Sequence, residues 1–330
     1  MSDLDDAIRA GLRARPRRLP SALLYDALGS ALFEAITFLP EYELARADVA
    51  LLLEHADDVI AALPGLIEVV ELGPGGGRKA AVFVEPLRHR QMVPFTAIDV
   101  SRAALESCTQ ALSVLPGVFV QPIEDTWIAG LRRAHRSPGH RRLVLFLGSS
   151  VSNLDRSEAA RFFVDVAGQL RPGDALLVAS DLVKPLAQLL PAYDDALGVC
   201  AAFNKNVLVR LNREWGADFP LDAFRHRARW NAHARRVELH LEALWPVTTS
   251  VLDLPVALDL GESLWTASSH RFSLDELHAW AEAAGFSVAE EWIYEPWAFA
   301  HSLFVVEPRV ATFAHLADRD EAYAAEQASP

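Results

Sequence analysis

The chain has 330 residues, of which 51% are hydrophobic, enough to bury a sizeable core in one large domain or two. A formal net charge of −13 and a pI near 5.3 deny it the overall basic footprint that nucleic-acid binding needs. Its two cysteines, Cys108 and Cys200, each within a helix-like pattern, exclude a disulfide framework or a cysteine metal site.

The start, Met-Ser-Asp-Leu-Asp-Asp, carries acids where a secretory signal carries basic residues, and no apolar run reaches the length of a membrane span. The expectation is a soluble, cytoplasmic protein with no nucleic-acid or membrane partner, acting as a monomer on a small molecule.

Residues 1–46 combine a basic patch (Arg9, Arg13, Arg15, Arg17, Arg18) with helical apolar spacing at Leu23, Leu24, Leu28, Leu32, Phe33 and Ile36. A segment this short cannot bury its own apolar face, so it must dock on something larger. Regular alternation follows. Helices are expected at 48–63, 78–88, 103–115 and 155–170, and strands at 66–71, 95–99, 117–121, 143–147 and 174–180. Ser101 stands where a helix N-cap belongs. Short apolar strands separated by helices imply a parallel sheet covered on both faces, with ligands at the carboxyl ends of the strands. Gly73, Asp99, Asn153 and Asp181 would gather there.

The arginines Arg132, Arg133, Arg136, Arg141 and Arg142, with His135 and His140, flank Pro138-Gly139 and read as a solvated loop. After Asp181 the alternation stops. Residues 184–233 read as helix-rich, with polar residues in apolar company (Tyr193, Asp194, Asp195, Asn204, Asn206, Asn212). Antiparallel strands are expected at 236–244, 248–254 and 263–272. A helix at 274–284 closes at Gly285, strands follow at 287–294 and 300–306, and an alanine-rich acidic tail begins at Ala311. The fold class is α/β, a Rossmann-like sheet with a second domain. Residues 47–183 with 273–308 make the nucleotide-binding domain, 1–46 with 184–272 the substrate-binding lid, and 309–330 the tail.

The centre of the pattern is Val69-Val70-Glu71-Leu72-Gly73-Pro74-Gly75-Gly76-Gly77-Arg78-Lys79, an apolar run, an acid and a glycine-dense turn. Glycine lets a backbone approach a nucleotide-like ligand without a Cβ in the way. A phosphate-binding loop would need a hydroxyl after Lys79, and Ala80 is there. A dinucleotide fingerprint would need a glycine where Arg78 stands. S-adenosylmethionine binding tolerates a looser turn and uses an acid at the end of each of the first two strands, here Glu71 and Asp99. The alternative is a glycine turn with no ligand.

Six stretches in order carry a resemblance: Leu39-Pro40-Glu41-Tyr42, Glu71-Leu72-Gly73, Phe146-Leu147-Gly148-Ser149-Ser150-Val151-Ser152-Asn153-Leu154, Ala192-Tyr193-Asp194-Asp195-Ala196, Ala202-Phe203-Asn204-Lys205-Asn206 and Phe219-Pro220-Leu221-Asp222-Ala223-Phe224. Together the chain resembles the histidine-specific S-adenosylmethionine methyltransferases of ergothioneine biosynthesis, over about residues 20 to 307. The resemblance implies a class I methyltransferase that uses S-adenosylmethionine and no metal. It implies that Gly73, Lys79 and Asp99 hold the cofactor. It also implies that Asn153 and Tyr193 hold the α-amino and α-carboxylate groups of a free amino acid.

Three departures from the family pattern stand out. Glu43, followed by Leu44-Ala45, replaces a second tyrosine and Pro-Thr. In Thr266-Ala267-Ser268-Ser269-His270-Arg271-Phe272, Ala267 replaces the glutamate that meets the imidazole, Ser269 is kept, and the family's Lys-Phe has become Arg271-Phe272. Gln121-Pro122-Ile123 replaces the Gly-Asp-Phe that contacts the adenine; Ile123 can still cover a ring face, and Glu124 or Asp125 would have to supply the acceptor. A ring N–H left without its carboxylate costs about 1–3 kcal/mol, enough to alter substrate preference. Either Glu43 restores the carboxylate, or Ala267, Leu239 and Trp265 make a roomier apolar pocket for another aromatic amino acid.

The chemistry implied is in-line displacement by a deprotonated amine, accelerated mainly by alignment. No base is identified, and Asp181, Asp194 and Asp195 are left outside the site. A non-catalytic relative that binds without turnover is the rival from another class. Neither H-E-x-x-H nor the G-x-S-x-G elbow is present, and His226, His233 and His240 lie where a shared metal would be a coincidence.

Overall fold

The computed structural model describes residues 3–307. Two helices, α1 (Asp3–Arg13) and α2 (Ala27–Ile36), precede the long α3 (Glu43–Ala61). Strands and helices then alternate through β1 (Leu66–Leu72), α4 (Arg78–Arg88), β2 (Val93–Asp99), α5 (Arg102–Ser113), β3 (Val118–Glu124), α6 (Trp127–Arg133), β4 (His140–Phe146), α7 (Arg156–Ala167) and β5 (Ala175–Asp181). The second part holds α8 (Leu186–Leu189), α9 (Val199–Trp215), β6 (Phe224–Asn231), β7 (Arg236–Ala243), β8 (Val247–Val251), β9 (Leu254–Leu258) and β10 (Ser263–His270). The sequence closes with α10 (Leu274–Ala284), β11 (Phe286–Tyr294) and β12 (Phe299–Val306).

Seven strands form the main sheet in the order β11-β12-β5-β4-β1-β2-β3. The first five strands pair in parallel, while β12 runs antiparallel to β5 and β11 antiparallel to β12. Adjacent residues of β1 point to opposite faces. Val69 joins Phe95, Leu143 and the helices α3 to α5 on one face, and Val70 joins Ile98, Val144, Phe163 and α10 on the other. The central strands are therefore apolar throughout, because both faces are covered. Chain direction along the sheet reverses beside β1, between β4 and β2, which places the ligand crevice at the carboxyl ends of β1 and β4. Ser101 caps α5 as expected, accepting from the Ala104 N–H.

A separate three-stranded sheet, β10-β7-β6, stands beside α9, and β8 pairs with β9 as a hairpin. Here the sequence expectation needs correction, since residues 224–231 are a strand and not part of a helix-rich stretch. The period is two: Phe224 and His226 are buried while Arg225 and Arg227 are exposed. Arg225 and Arg229 pair across the ladder with Glu242 at 2.5 and 2.6 Å. The polar residues of α9 are clamps. Buried Asn204 contacts the His226 ring nitrogen at 2.9 Å and accepts from Thr266 at 2.5 Å, and Asn206 donates to Asp26 at 2.7 Å. That last bond ties α9 to the N-terminal segment.

The arginine cluster is also misread by the sequence alone. Residues 127–133 are helical, and Arg142 is buried, its Nε 2.7 Å from Glu68 Oε1 and its Nη2 2.8 Å from the His135 carbonyl. Arg136 pairs with buried Asp174. A charge run at surface-like spacing thus pins β4 to β1 and its preceding turn. The alanine-rich tail from Ala311 lies outside the described residues.

α7 begins in a capping box, with Asp155 accepting from the Ser157 and Glu158 N–H groups and Glu158 accepting from the Asp155 N–H. Asp155→Ala is expected to cost about 1 kcal/mol in urea unfolding, and Asp155→Asn much less.

Candidate active site

Strand β1 ends in Glu71-Leu72, and the turn after it needs glycine because Gly73, Gly75 and Gly77 have φ of 73°, 55° and 79°. The Gly73 N–H donates to the Ile98 carbonyl at 2.8 Å, holding the turn against β2. A Cβ on Gly73 would lie 3.4 Å from Trp127 Nε1, so the first residue of α6 overhangs the turn. Trp127 is not among the residues that the sequence singled out.

Asp99 ends β2 and accepts from the Ser101 N–H at 2.9 Å; burial raises its pKa, with bonds from the Ser101, Gly75 and Val100 amides acting against the rise. The acid and the glycine turn are thus physically joined. Ile123 is buried on β3. The acidic residues after it point elsewhere: Glu124 pairs with Arg102 at 2.9 Å and Asp125 with Arg133 at 2.6 Å.

Beneath the turn lies a buried charge cluster. Asp48 of α3, fully buried, accepts from His301 Nε2 at 2.6 Å and from the Gly148 N–H at 2.7 Å, and sits 3.2 Å from Lys79 Nζ. Burial alone would raise the Asp48 pKa, but Lys79, His301 and Gly148 outweigh it and hold the carboxyl at about 2. A Cβ at Gly148, where φ is 71°, would lie 2.5 Å from Lys79 Nζ, so a larger residue would strain the backbone and displace the end of the lysine. Glu71 differs: it is fully buried, and neither carboxylate oxygen has a hydrogen-bond partner. Burial pushes it up to about 8, with Lys79 acting against the rise.

An orphaned buried carboxylate beside an open glycine turn fits a ligand that brings positive charge, and S-adenosylmethionine carries a sulfonium and an ammonium. Glu71, Gly73, Lys79, Asp99, Ile123 and Trp127 are the residues that would hold it.

The residues expected to hold the amino acid lie after β4, after α8 and on β10. Asn153 is exposed in the short turn Ser150–Asn153 after β4, a turn that packs against β10. Tyr193 follows α8. Its hydroxyl is 2.8 Å from Ser269 Oγ and accepts from Arg271 Nη2 at 2.8 Å. The Tyr42 ring lies 6.3 Å from that of Tyr193, edge to face, and Tyr25, Phe33 and Phe203 continue the aromatic wall. Burial holds the Tyr42 phenol well above its ordinary pKa, so it is neutral.

Tyr193, Ser269 and Ala267 are therefore brought together, while Glu43 is not. The Glu43 carboxylate is held by Arg46 Nε at 3.0 Å and lines a surface cleft with Pro296 and Trp297. Ala267 packs with Leu189, Val237, Leu239 and Tyr193 in an apolar group. Trp265 turns from that group to stack on Arg236, its guanidinium 4.2 Å from the ring centroid. Asp195 is a helix cap, accepting from the Val199 and Cys200 N–H groups at 3.0 and 2.7 Å. Among the described residues no cluster of His, Cys, Asp or Glu could hold a metal ion, and no helix is long and apolar enough to cross a membrane.

A seven-stranded sheet with one reversed strand, a glycine turn after β1 and an acid closing β2 define a class I, S-adenosylmethionine-dependent methyltransferase. The comparison with protein families narrows this further. The model described as histidine-specific, SAM-dependent methyltransferase matches residues 4–306, and the chain belongs to that family. It is 39% identical to the histidine N-alpha-methyltransferase of Mycolicibacterium smegmatis, over 90% of this chain and 93% of that one. The protein of the same name from Mycobacterium tuberculosis is also 39% identical, over 90% and 92%. Ergothioneine biosynthesis protein 1 of Neurospora crassa is 27% identical over 84% of this chain and 32% of its own.

Proposed function

We propose that the protein methylates the α-amino nitrogen of free L-histidine, with S-adenosylmethionine as donor. The observation that carries the reading is the family match over residues 4–306, a span that includes Asn153, Tyr193 and Ser269. When bound, the cofactor supplies an electrophilic methyl group.

The chain's own residues do the rest. The Asn153 amide offers an acceptor for the amine and a donor for the carboxylate, and the Tyr193 phenol donates to the carboxylate. Ser269 stands beside Tyr193, its Oγ 2.8 Å from the phenol oxygen. The aromatic wall of Tyr25, Phe33 and Tyr42 keeps water from the amine, which must be neutral to present a lone pair. Alignment of that nitrogen is the main source of acceleration. Residues 47–183 with 273–308 serve the cofactor, and 1–46 with 184–272 the amino acid. The protein works as a cytoplasmic monomer, without nucleic acid or membrane.

Tyr193→Phe is expected to raise the histidine KM by about 10- to 100-fold, the loss of one hydrogen bond to a charged group, while cofactor affinity stays within about twofold. Initial rates over a panel of free amino acids test the substrate. Histidine should give the highest kcat/KM. A higher value for tryptophan or another apolar aromatic would assign the Ala267 group to that side chain and overturn the histidine reading.

A further inference from the structure

Arg271, immediately after β10, is fully buried. Its Nη2 lies 2.7 Å from Asp181 Oδ2 and donates to the Tyr193 hydroxyl at 2.8 Å, while Nη1 donates to Ser269 Oγ at 2.8 Å. Asp181, at the end of β5, pairs on its other oxygen with buried Lys184, whose ammonium lies 4.3 Å from the centroid of the Trp297 ring. Two buried cations thus share one carboxylate, and among the described residues no second carboxylate is paired with either of them. Burial raises the pKa of the nearby Tyr42 phenol, which brings no compensating charge. Burial lowers Lys184 to about 8, as befits a cation short of anionic partners.

The hydroxyls carry the same message. Both Tyr193 and Ser269 accept from Arg271, and one of them donates to the other across 2.8 Å. That leaves one hydroxyl proton to offer a ligand and no strong free acceptor. The cluster is a donor-only surface with a surplus positive charge behind it.

We propose that Arg271, backed by Lys184, is the positioning residue for substrate carboxylate recognition, fixing Tyr193 and Ser269 as donors and supplying the charge that an α-carboxylate neutralises. This rests on the amino-acid reading above and deepens it. A lysine at 271 would be a point charge with no planar fork to hold both hydroxyls at once.

The test is titration of histidine and of histamine, which lacks the carboxylate, into the full chain saturated with S-adenosylhomocysteine. The parent should bind histidine at least 100-fold more tightly than histamine. Arg271→Met should weaken histidine about 100-fold and histamine little, collapsing the ratio, the size expected for charge-assisted hydrogen bonds. Arg271→Lys should restore part of it. Lys184→Met removes the surplus charge without touching the Tyr193 contacts and should cut the ratio about tenfold.

Retained S-adenosylhomocysteine affinity reports an intact fold. If Arg271→Met binds S-adenosylhomocysteine like the parent and keeps the parental ratio, the proposal is overturned. Should Arg271→Met fail to fold, an unchanged ratio in Lys184→Met overturns it equally. If the parent prefers another amino acid, only the histidine reading fails, and the ratio is taken on that amino acid and its decarboxylated amine. A parent that binds no free amino acid overturns both.

Discussion

Glu71→Gln is expected to remove a loss of stability on the order of 5 kcal/mol that the ligand-free protein suffers as pH rises from 4.5 to 8. Glu71 is fully buried with both oxygens unpartnered, and its pKa rises from the ordinary 4.5 to about 8. Between those values the folded state holds a proton that the unfolded state has released, so stability falls as pH rises through the window, and this contribution is gone above the upper value. Urea midpoints at pH 5, 7 and 9 should fall steeply for the parent and much less for the variant. On the proposed reading, a cationic ligand relieves this cost. Cofactor binding near pH 7 should release a proton from Glu71, and calorimetry in buffers of different ionisation enthalpy should detect that proton in the parent and not in Glu71→Gln. Equal proton release in both would remove Glu71 from the cofactor site.

Asp48→Ala is expected to cost about 3–5 kcal/mol, the range for removing one partner of a buried charge network. The side chain holds His301 on β12, the Gly148 amide after β4 and Lys79 at the start of α4. One carboxylate therefore joins α3 to the sheet and to both turns that frame the crevice. Its pKa is held near 2, so its contribution is complete above about pH 4 and is lost as pH falls through 2, opposite in sign to Glu71. Asp48→Asn keeps the shape but loses the charge facing Lys79, and should fall between parent and alanine. A change under about 1 kcal/mol in either variant would show that the network contributes little.

The sheet was legible from residues 66 to 181 because central parallel strands are apolar on both faces and so read as short unbroken runs between helical periods. Strand β6 was hidden because its outward positions are arginines, which sequence alone reads as solvated and which here pair with Glu242. The same blindness covers Arg142, whose partner Glu68 lies 74 residues away, and Asp48, whose partner His301 lies 253 away. A buried polar residue in a helix looks like any surface residue until its partner is placed. Tyr193 and Ser269 could be named beforehand through the family pattern. Their joint dependence on Arg271 could not, since it requires β10 and the turn after α8 to meet in space. Glu43 shows the converse: an acid at a promising position in the sequence is tied to Arg46 three residues on.

The most direct measurement is mass spectrometry, with fragmentation, of a reaction containing the protein, S-adenosylmethionine and L-histidine. The account predicts product masses raised by whole methyl groups, with every added methyl on the α-nitrogen and the ring fragment unchanged. A methyl group on the imidazole, or no histidine product while S-adenosylmethionine is consumed with another amino acid, would contradict it.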